Sequence, residues 1–439
     1  MARVVVVGGG FGGMATAARL AKLGHEVTLL EASDALGGAL GFVERDGFRW
    51  DSGPTHMLLP AVVRDLFRKS GRPLEKELDL VPVEPMRQHR FEDGTRLDLP
   101  SGSRSVQIEA IDAALGKGLG RVWASYTAEF PEVWEALRKD WLERPWSPEH
   151  AGKRSQELLG SRTTLAKMTG KLLRDDRLRQ VATLPAVLEG HDPRNVPAWT
   201  GLVSYVEQNF GSWTVPGGMG APAAALVDRL ATRRVDVRTG VEGVDLVMSS
   251  GGVSGRVSGV QTADEVVPAD VVVVACDPRR LPALAGHVRR TMPAIPPVVA
   301  HLGITGDVPD LPHEVVLHGD PLLVLRTNGT APSGAHAWTL LGRGRIAEDM
   351  VTALSRHGID IRKQVEVRVD RSPREQVEAW RGSPYGVLWQ GRKTLDRRLG
   401  TTSPVPGVYC AGAHTTPGAG LPWVGLSAAL VAQAVGRAT

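Results

Sequence analysis

Val4-Val5-Val6-Val7-Gly8-Gly9-Gly10-Phe11-Gly12-Gly13 is the stretch on which the fold of this chain turns. The four valines have the length and β-branched content of a buried parallel strand, and residues 14–23 read as the helix that follows. Written as Gly8-x-Gly10-x-x-Gly13, the glycines serve a tight turn, close approach of backbone to a pyrophosphate, and close packing of helix on strand. A helix start also presents amides and partial positive charge to that anion. The next strand, 26–30, ends at Glu31, 23 residues beyond Gly8, where a carboxylate accepts ribose hydroxyls. A lone glycine pattern would equally cap an ordinary βα unit. Strand, turn, helix and acid in agreement read as a dinucleotide site, and NAD and FAD both fit it.

A chain of 439 residues exceeds one typical core, so two lobes are expected around the nucleotide unit. Hydrophobic content of 42% with 23% charged residues is that of a soluble globular protein. The formal charge of +4 is spread along the chain without a basic block, which argues against nucleic-acid binding and leaves room for a mild attraction to an anionic membrane surface or acidic partner. The first strand begins within two residues of Met1 and no apolar run reaches spanning length, so neither signal peptide nor transmembrane segment is expected. Cytoplasmic location, with peripheral membrane contact as a variant, follows from this reading. Cys276 and Cys410 are expected as buried reduced thiols, a disulfide being the alternative. No metal site is expected.

Further along, Ala35-Leu36-Gly37-Gly38-Ala39-Leu40-Gly41 is a glycine-dense turn that lets backbone pass close to the same ligand. Gly47-Phe48-Arg49-Trp50-Asp51-Ser52-Gly53-Pro54-Thr55-His56 reads as a short strand entering a tight turn. Residues 60–71 look helical, and Asp93-Gly94 suits a hairpin turn. Residues 105–190 read as amphipathic helices, with Trp134, Leu137 and Trp141 on one face, either core or lipid-facing, core being favoured. A helix over 221–232 follows a second glycine-rich turn. Strands are expected within 235–247, at 257–261, 266–267 and 270–275, with Ser249-Ser250-Gly251-Gly252 as a break. Residues 296–370 read as short strands with one helix and carry no motif. At the end, a strand at 408–411, a loop over 412–420 and an internal helix over 421–435 with Pro422 in its first turn complete the pattern.

These pieces, in this order, resemble the phytoene-desaturase-like (carotenoid desaturase) branch of the FAD-dependent amine-oxidase superfamily. The likeness rests on the first glycine motif with Glu31, on Asp51-Ser52-Gly53-Pro54-Thr55, on Pro216-Gly217-Gly218-Met219-Gly220, on Val257-Ser258-Gly259-Val260 leading to Ala269-Asp270 and Asp277-Pro278, and on the 412–422 loop. It covers residues 1–285 and 370–439. It implies an α/β chain: a Rossmann-like FAD-binding domain, glutathione-reductase-like and of amine-oxidase type, from 1–75, 210–285 and 395–439. An interleaved α+β substrate domain would come from 76–209 and 286–394. FAD would be held at Gly8, Gly10, Phe11, Gly12 and Gly13, with Glu31 and Ala32 on the ribose side and Val241 on the adenine edge. Gly37, Gly38, Ala39, Leu40, Gly53, Pro54, Thr55 and Cys276 would flank it, and Gly412, Ala413, Leu421, Pro422, Trp423 and Val424 would hold the flavin end. A helix amino end there would stabilise negative charge on a reduced flavin. Ala39 stands where the family usually has Arg, so one phosphate contact is missing and flavin affinity falls unless another basic residue serves. His414 replaces a small residue.

With a single dinucleotide fingerprint, no separate nicotinamide site is expected. The implied reaction removes hydride from an activated C–H bond to flavin N5 and a proton from the adjoining carbon, giving C=C, with oxygen or a quinone as reoxidant. His56 and His414 are the candidate proton acceptors, packing or flavin contact being the competing role for each. Tyr385 and Trp389 are expected near substrate or flavin. Three functions compete: a desaturase of a polyene, isoprenoid or acyl chain, delivered by a membrane or a carrier protein; a flavin enzyme that saturates, isomerises, aromatises or oxidises amines; and a non-enzymatic prenyl-binding escort, weakened by the intact nucleotide motif.

Overall fold

The computed structural model describes residues 1–249 and 255–438. Five parallel strands form the central sheet, in the order Val408–Cys410, Val271–Val274, Arg3–Val7, Glu26–Glu31 and Asp236–Thr239. Val4, Val6, Leu29 and Val273 face the helices Phe11–Lys22, Pro60–Ser70, Ala221–Thr232 and Leu421–Val435. Val5, Val7, Leu30 and Val272 face a three-stranded antiparallel sheet, Asp245–Met248, Val257–Gln261 and Val266–Pro268, together with the helix Pro282–Val288. Both faces are therefore covered. Full burial of a valine is worth about 1.5–3 kcal/mol, which is why the run stays apolar at every position instead of alternating.

Small residues let these layers approach. Every residue from 11 to 20 is buried, and Gly12, Gly13, Ala15, Ala17 and Ala18 line the helix against the sheet and against the helix Leu421–Val435. Arg19, buried in the same layer, pairs with Asp65 at 2.9 Å. The helix starts at Phe11, three residues before the expected position, because the glycine turn closes directly into its first turn.

A seven-stranded mixed sheet carries the second lobe, in the order Val365–Arg371, Val298–Thr305, Ala335–Arg343, Leu322–Gly329, Glu314–Leu317, Arg87–Arg90 and Arg96–Leu99. All its pairs are antiparallel except Glu314–Leu317 beside Arg87–Arg90. The expectation of short strands over 296–370 is corrected here: three of them run eight or nine residues, with Met350–Arg356 as the helix. They read as broken because polar His301, Arg326 and Thr339 interrupt apolar runs, and those three residues face the cleft between the lobes. Helices between 104 and 210 bury an aromatic core of Trp123, Tyr126, Phe130, Trp141 and Trp199. Leu137 and Trp141 belong to it and Trp134 packs on it, so the stripe is core and not a lipid-facing surface. Ser250, Gly251 and Gly252 of the expected break lie outside the described residues.

The two lobes are tied by the strand Phe48–Asp51. Its Trp50 Nε1 donates to Leu302 O at 3.1 Å, and this seats the Ser52-Gly53-Pro54 turn at the mouth of the cleft.

Candidate active site

At the carboxyl ends of the parallel strands opens a cleft of about 690 Å³ that continues into the second lobe. A Cβ added at Gly10 would meet nothing within 4 Å, so the backbone there is open to a ligand. At Gly13 it would stand 1.8 Å from Gly8 O, so only glycine lets the helix sit on the turn. The helix Phe11–Lys22 has no side-chain cap and no acid in its first turn, which leaves its amino end to an anion. Glu31 is held in place by its own turn. Its Oε2 accepts from Gly9 N at 2.6 Å, and its Oε1 from Ser33 N at 2.8 Å and Ser33 Oγ at 2.7 Å. A carboxylate offers about four acceptor positions, so capacity for a ribose hydroxyl remains. These walls fit a nucleotide.

Of the residues singled out in the sequence, Gly8, Gly10, Phe11, Gly12, Glu31, Ala32, Gly37, Gly38, Ala39, Leu40, Gly53, Pro54, His56, Cys276, Gly412, Ala413, His414 and residues 421–424 all line this one cleft. Three stand behind the wall. Gly13 serves packing, and Thr55 is buried, with its carbonyl accepting from Thr214 Oγ1 at 3.0 Å. The amide of Val241 donates to Glu31 O at 2.9 Å, and its neighbours Glu242 and Gly243 form the wall there. Both cysteines are free thiols, and burial pushes that of Cys276 up to about 12.

On the opposite wall the second lobe presents a buried charge network. Arg87 bonds Glu207 at 2.9 Å and Glu314 at 3.1 Å, Arg326 bonds Glu314 at 2.9 Å, and Arg326 Nη1 donates to Gly53 O at 3.3 Å. Glu314, between two guanidinium groups, is held well below the carboxylate range. Glu207, with one, is pushed up by burial. His56 lies beside this network, its Nδ1 3.5 Å from Thr55 Oγ1, and burial lowers its pKa to about 3. His414 packs against Asp277 at 3.8 Å and is lowered to about 4 by burial. Asp51, accepting from Asn328 Nδ2 at 3.2 Å and Gly220 N at 3.3 Å, is raised to about 6 by burial. Beyond Tyr385 and Trp423 a smaller aromatic cavity of about 100 Å³ follows, walled by Trp141, Trp199 and Trp389.

Residues 11–436 match the family described as flavin containing amine oxidoreductase. The chain belongs to that family. Hydroxyneurosporene desaturase of Cereibacter sphaeroides is 30% identical over 491 aligned residues, covering 99% of this chain and 97% of the relative. Phytoene dehydrogenase of Streptomyces griseus is 27% identical over 495, covering 98% and 94%. Among solved structures, putrescine oxidase bound to putrescine superposes with a TM-score of 0.70 at 15% identity, covering 99% of this chain and 98% of that one. A CLA-producing fatty acid isomerase from P. acnes gives 0.65 at 14%, covering 98% of each. Those two likenesses carry the fold alone.

Membership in the flavin containing amine oxidoreductase family makes this chain a flavin-dependent oxidoreductase. The likeness to carotenoid desaturases also spans the 286–369 segment, which the sequence motifs had left uncovered. That segment supplies Glu314 and Arg326, which sequence reasoning missed along with Arg87, Glu207 and the wall position of Asp51. The signal was a charge inside an apolar strand: Glu314 opens Glu-Val-Val-Leu, and Arg326 closes Leu-Leu-Val-Leu. Ala39 lines the cleft with only a methyl group, its carbonyl accepting from Ser52 Oγ at 3.1 Å. Arg280 and Arg381, both held by Glu242, are basic groups in the wall.

Proposed function

We propose that this protein is an FAD-dependent desaturase that introduces C=C bonds into a hydrophobic polyene, isoprenoid or acyl chain. The observation that carries the reading is the continuity of the cleft: the glycine turns and Glu31 line one end, and Leu184, Leu188, Val203 and Leu341 of the second lobe line the other. Near full-length relatives named as a desaturase and a dehydrogenase of carotenoids support it.

Gly8, Gly10 and the uncapped helix start would receive the pyrophosphate, and Glu31 the adenosine ribose. Residues 412–413 and 421–424 would flank the ring. Arg280 is the basic residue we assign to offset Ala39. When bound, FAD supplies a two-electron acceptor, reoxidised by oxygen or a quinone. The chain's own part is to orient an apolar substrate, exclude water and take the proton. Of the two imidazoles, His56 is the one we assign to that proton, at Nε2. Glu314 favours its protonated form against Arg326 and Arg87, as Asp277 does for His414, but His414 is the more enclosed of the two, packed against Asp277 and Gly382. Among the described residues no helix is long and apolar enough to cross a membrane, so delivery by a membrane surface or a carrier protein would bring the substrate to a peripheral enzyme.

Purified protein should be yellow. Anaerobic mixing with candidate polyenes should bleach the flavin and yield a product two hydrogens poorer; a shifted double bond without bleaching would replace desaturation by isomerisation. A colourless protein that takes up no FAD in excess cofactor would end the redox reading.

A further inference from the structure

The aromatic cavity beyond Tyr385 and Trp423 contains a cation, Arg398, that forms no ion pair among the described residues. Arg398 is 8% exposed, lies in the cavity wall, and sits 4.6 Å over the ring of Trp389. Its guanidinium donates one long hydrogen bond, Nη2 to Val387 O at 3.4 Å, and Nε has no partner. Burial lowers its pKa to about 10. Glu189 stands in the same wall without ion-pairing Arg398; its Oε2 lies 3.5 Å from His191 Nε2, while His191 Nδ1 accepts from the amide of Trp389 at 3.4 Å. Two further donors in the same wall, Trp141 Nε1 and Trp199 Nε1, are buried and also without partners.

Three orphaned N–H donors and one positive charge around a small apolar space specify what completes it. The missing group accepts hydrogen bonds, donates none, and carries one negative charge. The three unpartnered donors call for an acceptor and not an amine, and a diphosphate carries more charge than one guanidinium beside Glu189 offsets. We propose that this cavity binds the carboxylate of a hydrophobic, unsaturated acid, with Arg398 as its counter-ion. The acid's chain then passes Pro185, Val203, Tyr385 and Trp423, which line both the cavity and the main cleft, so the carbons oxidised are remote from the carboxylate. This rests on the desaturase reading and narrows its substrate to a free acid, not a carrier-bound thioester or a hydrocarbon.

The test is binding to the flavin-loaded protein of parinaric acid, a conjugated tetraene fatty acid followed by its own fluorescence, against its methyl ester. The acid should bind at least tenfold more tightly at pH 7.5, where its carboxyl group is ionised. Arg398→Gln should abolish the preference, Arg398→Lys retain part of it, and Trp199→Phe reduce it, all at unchanged flavin content. Equal affinities for acid and ester in the wild type, or no binding of either, would overturn the proposal without a variant having to fold. The two readings fail separately. Acid preference without flavin bleaching would remove the desaturase reading alone, and bleaching by ester and acid alike would remove the carboxylate site alone.

Discussion

Glu31 makes the nucleotide end testable by a single side chain, because it has two functions that a substitution separates. Its oxygens hold the amides of Gly9 and Ser33, and they retain acceptor capacity toward the cleft. A hydrogen bond to a charged acceptor is worth about 1.5–3 kcal/mol, so Glu31→Ala should weaken FAD binding roughly ten- to hundredfold, with Glu31→Gln losing less. Titration of apoprotein followed by flavin fluorescence measures this, and unchanged affinity would remove Glu31 from the ribose. His56 is the second such residue. If its Nε2 takes the substrate proton, His56→Gln should slow anaerobic flavin reduction by about 10²- to 10⁴-fold while flavin content stays constant. A pKa of about 3 keeps the imidazole neutral throughout the working range, so the rate should not fall between pH 8 and pH 5 on its account. A reduction rate within twofold of wild type would return His56 to a packing role.

Strands that carry charge into the cleft set the character of the second lobe. Glu314, 1% exposed, is held by Arg87 and Arg326, whereas Glu207 has Arg87 alone. Removing one partner of a buried network leaves charge uncompensated at a cost of about 3–5 kcal/mol. Glu314→Gln should therefore lower the denaturant midpoint by that equivalent and Glu207→Gln by less; a loss under about 1 kcal/mol for Glu314→Gln would mean the network is hydrated. This is also where the sequence ceased to be readable. The unit Val4–Gly13, the helix 221–232 and the terminal strand-loop-helix are local patterns of valine runs, glycine turns and helical spacing, and the structure keeps them nearly as expected. Arg87 reaches Glu207 across 120 residues and Glu314 across 227, and no periodicity encodes such pairing. Val241 stands behind the wall for a related reason: its amide is used by the neighbouring strand's Glu31 carbonyl, a pairing visible only once Glu26–Glu31 and Asp236–Thr239 lie side by side.

Across the whole molecule, the burial that keeps water from the cleft also fixes how the protein responds to acid. Burial lowers His56 to about 3 and His301, His318 and His414 to about 4, from an ordinary value of 6.5. In the unfolded chain each takes up a proton near pH 6.5, and in the folded chain each resists until well below that. Stability contributed by these groups is therefore complete above pH 6.5 and drains away as pH falls toward 4, at about 1.4 kcal/mol per group and pH unit. Four groups together amount to on the order of 10 kcal/mol, comparable with the full stability of a typical domain. Asp51 works in the opposite sense: raised from 3.8 to about 6, it binds its proton sooner when folded and returns some stability between pH 6 and 4. Glu207, also pushed up by burial, acts in the same sense, but two carboxyl groups do not offset four imidazoles. Thermal midpoints measured from pH 8 to pH 4.5 should be level down to about pH 6.5 and then fall steeply, with unfolding at room temperature near the acid end. A profile that stays level to pH 5 would mean that these histidines are already solvated, and with them the cleft that the proposed chemistry needs dry.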